Sequence, residues 1–315
     1  MPTAITPGPA AVRVTAPPPA APQPPTASGG MPRWQQAAVI AVPVLAAAAV
    51  WAAAVGYYAA QPSPAGPASG RAPDGAALYL ENCARCHGKA GQADGPASAL
   101  LDPPARRFGE DQFRLPTTAN GVATDDDLLF VIRNGIPGSA MPKFDHLSDA
   151  ELGAVLGHVR QLALAGLYQR INRKADQAGG LDPEVIHGLV GRQLSPGQVV
   201  SGPGPFPPAT PEAVARGQKV YQLTCASCHG PAGRGDGPQV KDLKNDDGTP
   251  TRPRDLSKGM YKGGGTPERL YTRILVGMPG TPMPASTTLK PDDICDLVHY
   301  VRSLAPAASA TTLAP

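Results

Sequence analysis

The feature that most constrains this chain is a five-residue pattern, C-x-x-C-H, which occurs twice. It stands at Cys83–His87 in "NCARCHGKAGQADGP" and at Cys225–His229 in "TCASCHGPAGRGDGP". Adding 142 to Cys83 gives Cys225, and the same shift takes Cys86 to Cys228 and His87 to His229. It also carries Gly75 to Gly217, Tyr79 to Tyr221 and Asp94-Gly95-Pro96 to Asp236-Gly237-Pro238. Further on it takes Gly135-Ile136-Pro137-Gly138 to Gly277-Met278-Pro279-Gly280, Met141-Pro142 to Met283-Pro284, and Val159-Arg160 to Val301-Arg302. One offset held from Gly75 to Arg160, with room for compensating gaps between anchors, is an internal duplication. The chain therefore folds as two copies of one module, and each copy has its own C-x-x-C-H.

The module reads as all-α. Ser148 and Glu151 open "SDAELGAVLGHVRQL" as a capping box. Leu152, Val155, Leu156 and Val159 then follow the i, i+3, i+4, i+7 spacing of a buried helical face. Ile294, Leu297, Val298 and Val301 repeat that stripe in the second copy, behind Pro291 near the helix start. A middle helix is expected from Thr124 (capping toward Asp127) and from Thr266-Pro267. A first helix leads into each C-x-x-C-H and carries Leu78-Tyr79 or Val220-Tyr221. Neither copy has a strand pattern. Modules this small, with aromatic residues only 5% of the chain, need something besides side chains to fill their centres.

Outside the modules the composition changes. Residues 1–33 are a Pro/Ala-rich run that cannot bury a core, and they read as a disordered tail. Ala37–Ala60, "AAVIAVPVLAAAAVWAAAVGYYAA", lies in a segment without charge between Arg33 and Arg71. A spanning helix needs about 20 apolar residues, and Trp34, Tyr57 and Tyr58 match interfacial aromatic belts. Residues 34–60 are thus expected to be a single transmembrane anchor, too long for the core of a cleaved signal peptide. Residues 61–73 follow as a flexible linker, 74–165 as the first module, 166–209 as an interdomain linker, 210–305 as the second module, and 306–315 as a disordered tail. Residues 74–165 carry 8 basic and 12 acidic side chains, net −4, whereas 210–305 carry 13 and 10, net +3. Opposite signs allow the two to dock on each other or to steer different partners.

C-x-x-C-H is the attachment signature of c-type haem. Two thiols on one turn add to the two porphyrin vinyl groups, and the adjacent imidazole stands beneath the iron. Cys83, Cys86, Cys225 and Cys228 are the expected thioether residues, and His87 and His229 the expected iron ligands. A soft thioether as sixth ligand raises the potential. Residues 74–165 contain one methionine, Met141, which stands 54 after His87 (87 + 54 = 141). In the second copy Met260, Met278 and Met283 compete, and only Met283 stands 54 after His229 (229 + 54 = 283). A zinc site from the four cysteines would not require the histidines, the GDGP echo or the Met loops. A thioredoxin-like pair would need a βαβ pattern.

Both modules resemble class I cytochrome c domains, in "CARCHG" and "CASCHG", in the downstream Met-Pro loops, and in the closing helices "LGHVRQL" and "LVHYVRSL". The resemblance implies two tandem domains of that fold, in which the first and last helices cross beside two covalent haem c groups. It implies His87/Met141 and His229/Met283 as axial pairs. It also implies a loop-proline carbonyl that accepts from the Nδ1–H of each axial histidine, for which Pro96 and Pro238 are the candidates. Haem of this type is attached outside the bacterial cytoplasm. The chain is therefore expected in the cytoplasmic membrane of a bacterium, with the haem domains on the periplasmic or outer side.

The function implied is electron transfer rather than enzymatic turnover, either as a cytochrome subunit of a respiratory complex or as a tethered shuttle between redox proteins. A dihaem cytochrome c peroxidase is the alternative, but it needs one haem whose distal side opens, against two copies with matched Met spacing. Of the remaining residues, His146 aligns with Thr288 and reads as a loop histidine. His158, His187 and His299 read as structural or solvated. Cys295 reads as a partly buried thiol. Arg252 and Arg254, in "TRPRDL", are either haem-carboxylate partners or a solvated basic run. The basic residues do not interleave with aromatics, which gives no sign of nucleic-acid binding.

Overall fold

A computed structural model describes residues 72–306. The apolar run expected to span a membrane and both tails lie outside the described residues. Among those that are described, no helix is long and apolar enough to cross a membrane. The helices are α1 (Gly75–Asn82), α2 (Ala84–His87), α3 (Asp125–Asn134), α4 (Asp149–Gln177), α5 (Pro183–Leu194), α6 (Pro211–Thr224), α7 (Ala226–His229), α8 (Pro267–Val276) and α9 (Pro291–Ser303). Extended backbone among the described residues forms only isolated bridges.

Local sequence sets the helix starts. The Thr124 hydroxyl accepts from the Asp127 N–H while the Asp127 carboxylate accepts from the Thr124 N–H, which caps α3. Ser148 and Glu151 do the same for α4. Thr210 and Thr266 cap α6 and α8, each followed by proline at the first helical position.

In each copy the first helix crosses the last at a glycine. A Cβ on Gly75 would stand 2.0 Å from the Ala154 carbonyl oxygen, and one on Gly217 would stand 1.9 Å from that of Asp296. The two backbones touch there, so the apolar stripe of the last helix reaches across the crossing. Leu152, Val155, Leu156 and Val159 are all buried in the first core, and Ile294, Leu297, Val298 and Val301 in the second. Burying each such side chain contributes roughly 1.5–3 kcal/mol. Cys295 joins the second core as a buried thiol that burial shifts upward.

The segment expected to be a linker, 166–209, proves largely helical. α4 does not stop near Leu162 but runs to Gln177, because Leu167, Ile171 and Ala175 continue an i, i+4, i+8 stripe. The helix ends before Gly179 and Gly180, whose φ values of 99° and 93° side chains rarely adopt. α5 folds back, and its Ile186 and Val190 complete a third small core. The chain beyond α5 is then fastened to the first copy. Ala119 N–H donates to the Gln198 carbonyl at 2.9 Å, and Val200 N–H to that of Thr117 at 2.7 Å.

The two copies abut along a seam. Arg273 of α8 donates from Nη1 to the Arg114 carbonyl and from Nη2 to the Pro116 carbonyl, both at 3.2 Å. The Arg269 guanidinium lies 3.2 Å from the centre of the Phe130 ring. The Arg107–Asp247 ion pair (3.8 Å) joins the same surfaces.

Candidate haem sites

Each C-x-x-C-H is a single turn set against the end of the first helix. Cys83 N–H closes α1 on the Tyr79 carbonyl (2.8 Å), and Cys86 and His87 N–H both return to the Cys83 carbonyl (3.1 and 2.9 Å). The second copy repeats this through Cys225, with Cys228 at 3.2 Å and His229 at 2.8 Å. A fully buried tyrosine anchors each turn, Tyr79 Oη donating to the Gly88 carbonyl at 2.7 Å and Tyr221 Oη to that of Gly230 at 2.8 Å. The thiols form no disulfides. Among the described residues no three His, Cys, Asp or Glu side chains gather as a metal-ion site, so the cysteine pairs do not pool into one zinc centre.

Cys83, Cys86, His87 and Met141 share the wall of one predominantly apolar cavity of about 360 Å³ in the first copy. Phe108 and Val159 belong to the same wall, and the Phe108 ring stacks on His87 with centres 4.8 Å apart. His87 Nδ1 lies 3.0 Å from the Arg106 carbonyl, which can only accept, so Nδ1 carries the proton and Nε2 keeps its lone pair. Burial is the main cause that pushes the imidazole below its ordinary pKa and keeps it neutral. Two thiols, a neutral imidazole with a free Nε2 and a thioether around an apolar cavity are a donor set that fits covalent haem.

The Arg106 carbonyl corrects the expectation for Pro96. Gly95, Ala97 and Ser98, on either side of Pro96, pack on the backbone of the turn. A Cβ on Gly95 would stand 2.3 Å from the Arg85 carbonyl oxygen, Ala97 N–H donates to that same oxygen at 3.0 Å, and Ser98 Oγ donates to the Cys86 carbonyl at 2.6 Å. In the second copy Pro238 likewise makes no hydrogen bond to the imidazole. The Arg254 backbone faces the half-buried His229 ring, without a hydrogen bond of regular geometry to its buried Nδ1. Burial again pushes this histidine down.

Arg254 is the counterpart of Arg106 at an offset of 148 (106 + 148 = 254), six more than the repeat's 142. Phe108 N–H donates to the Gly91 carbonyl and Leu256 N–H to that of Gly233, which fixes this local register. The second copy therefore has six extra residues here and recovers the original offset by α8.

The methionine loops are built alike. Ile136 N–H donates to the Met141 carbonyl (3.1 Å) and Met141 N–H to Ser139 Oγ (3.2 Å). Met278 N–H donates to the Met283 carbonyl (3.0 Å) and Met283 N–H to Thr281 Oγ1 (3.2 Å). Both methionines are half-buried at the same point of the same loop. His146 is exposed, and His158 packs on the Tyr79 ring. His299 is buried against Phe206. Arg252 is exposed, whereas Arg254 reaches the Gly138 carbonyl.

Lys262 and Met278 of the second copy also line the cavity of the first. Sequence reasoning passed over both. Met278 figured only as a rival of Met283 within its own copy, and Lys262 had no motif around it.

The comparisons agree with this architecture. The cytochrome c family matches residues 214–305, and the family described as subunit III of cbb3-type cytochrome c oxidase matches residues 70–159. A chain of the reducing HAO-like protein complex of Kuenenia stuttgartiensis is 30% identical, with a TM-score of 0.62 over 74% of this chain and 96% of its own. No curated protein matches. The chain belongs to the class I c-type cytochromes and carries two such domains in tandem. Its chemistry is electron transfer by covalently held haem c.

Proposed function

We propose that this chain is a membrane-tethered dihaem electron carrier working within, or docking on, a larger redox complex. One haem c per domain would be attached through Cys83/Cys86 and Cys225/Cys228, with His87/Met141 and His229/Met283 as axial ligands. When bound, such a haem supplies a one-electron couple between ferric and ferrous iron. The polypeptide pushes both imidazoles toward the neutral form, fixes the tautomer of His87, lines its cavity with apolar side chains, and presents a thioether from a hydrogen-bonded loop in each copy. The observation that carries the reading is the convergence of Cys83, Cys86, His87 and Met141 on one cavity.

The like construction of the two Met loops supports the same ligation in both copies and weighs against a peroxidase, which needs an open distal side. Work within a complex is supported by the first domain's match to an oxidase-subunit family and by a structural relative that is itself a complex chain. The charge-free run 37–60 supports a single anchor in the cytoplasmic membrane, with residues 61–315 on its outer side.

The test is mild-detergent purification from native membranes, with the haem content of the chain and the identity of co-purifying subunits read together. Two covalent haems and a stoichiometric redox complex are expected. Two haems on a chain recovered alone would reassign it as a tethered shuttle, and a chain without covalent haem would remove the reading.

A further inference from the structure

The seam between the domains contains more positive charge than it neutralises. Lys262, in the loop before α8, lines the first domain's cavity beside Arg106 and Arg114. Burial, then Arg254, Arg114 and Arg106, bring its ammonium down to about 8, and no acidic group offsets them. Among the described residues Lys262 forms no ion pair, whereas Lys143 and Lys258 each have an aspartate partner. Arg114 has a buried Nε without a partner and, among the described residues, forms no ion pair; burial, then Arg106, lower it to about 10 despite the opposing pull of Asp111, Asp247 and Asp246. A partly desolvated cation without an ion-pair partner is costly, and two of them facing a ligand cavity call for an anion in it.

Resting on the reading that haem occupies the cavity, we propose that Lys262 of the second domain and Arg114 of the first form a composite carboxylate site that holds the carboxylates of the first haem. The first haem site is then completed by the other domain, with Met278 as its apolar contribution across the seam. Three observations point this way together: the shared cavity wall, two half-buried cations that form no ion pair with a protein carboxylate, and their origin in opposite domains. Of the ligand chemistries available, only an anionic group at the edge of an otherwise apolar molecule satisfies both the cations and the apolar wall. Haem has that form. A free anion would satisfy the cations alone.

The test uses the full-length protein and the variants Lys262→Met and Lys262→Arg. Haem content is measured by mass, and potentials by redox titration, with each step assigned through the NMR signal of its axial methionine methyl. The expected result for Lys262→Met is two covalent haems, a first-haem potential below wild type, and a new dependence of that potential on pH as a haem carboxylate loses its counter-charge. Lys262→Arg, which keeps the positive charge, should restore the wild-type potential. With both haems present, an unmoved first-haem potential in Lys262→Met overturns the proposal, as does a shift confined to the second haem. A wild-type first-haem potential that tracks added phosphate would show a solution anion in the pocket instead, and also overturns it. Absence of covalent haem from the wild-type chain would be failure of the underlying functional reading, and the mass alone reveals it.

Discussion

Arg254 Nη1 donates to the Gly138 carbonyl at 2.6 Å, and this one bond joins the surroundings of the two haem sites. Gly138 lies in the loop that presents Met141, whereas the backbone of Arg254 faces the His229 ring. A Cβ on Gly138 would stand 1.9 Å from the same Nη1, so the guanidinium is seated tightly on the loop. The residue thus acts on one site through its side chain and on the other through its main chain. Arg254→Ala is expected to loosen the Met141 loop while leaving the His229 environment intact, since the carbonyl survives the substitution. Carbon monoxide should then bind the first haem more readily, although the altered residue belongs to the second domain. Unchanged binding and an unchanged Met141 methyl resonance would show that the bond is incidental.

The methionine assignments can be separated from each other. Met141→Ala and Met283→Ala should each lower the potential of one haem and open that haem alone to carbon monoxide, because a soft thioether favours ferrous iron. Met278→Ala serves as the control. Its residue lines the first cavity yet belongs to the loop of Met283, so it should leave both irons six-coordinate. Carbon monoxide binding in the control but in neither ligand variant would reverse the assignment.

The helix crossings make a stability prediction with its own internal reference. Gly217→Ala would place a methyl 1.9 Å from the Asp296 carbonyl oxygen, and backbone cannot swing aside as a side chain can. The helices must separate, at a cost of about 3 kcal/mol or more. Gly153 and Gly157 lie on α4 with open space around them, and a methyl added at either would meet nothing within 4 Å. Alanine there should stabilise by roughly 0.5–1 kcal/mol. Denaturant unfolding of the three variants measures both signs. Equal effects would mean that the crossing is looser than the carbonyl distance implies.

These crossings also explain what was legible in the sequence. Both copies keep Gly, Tyr, C-x-x-C-H, Met-Pro and the last-helix stripe at one offset, because each of those side chains meets a fixed neighbour inside its own copy. Pro96 and Pro238 misled because the acceptor is a main-chain carbonyl, which any residue supplies. The six-residue insertion had also displaced the matching position to Arg254. The hairpin of α4 and α5 was hidden by Gly179-Gly180 and the prolines beyond, although Leu167, Ile171 and Ala175 continued the stripe of α4 in plain view. Lys262 and Met278 have no periodicity to betray them. Their role exists only where two copies meet.

Tyr79 and Tyr221 are fully buried, and each hydroxyl donates to the carbonyl of the glycine that follows C-x-x-C-H. Burial, the first cause in both, raises their pKa values well above the ordinary 10.0. The folded state therefore holds these protons more tightly than the unfolded chain. Their stabilising contribution is complete below pH 10 and is lost as pH rises from there toward the folded-state values. Each tyrosine should contribute a fall of up to about 1.4 kcal/mol per pH unit in that window. Tyr221→Phe removes one such slope, and at neutral pH it costs on the order of 1–2 kcal/mol by leaving the Gly230 carbonyl without its donor. Unfolding free energy measured at neutral pH and again above pH 10 tests both parts. The gap between wild type and Tyr221→Phe should narrow with alkali, and a gap that widened would mean that the hydroxyl ionises in the folded protein first.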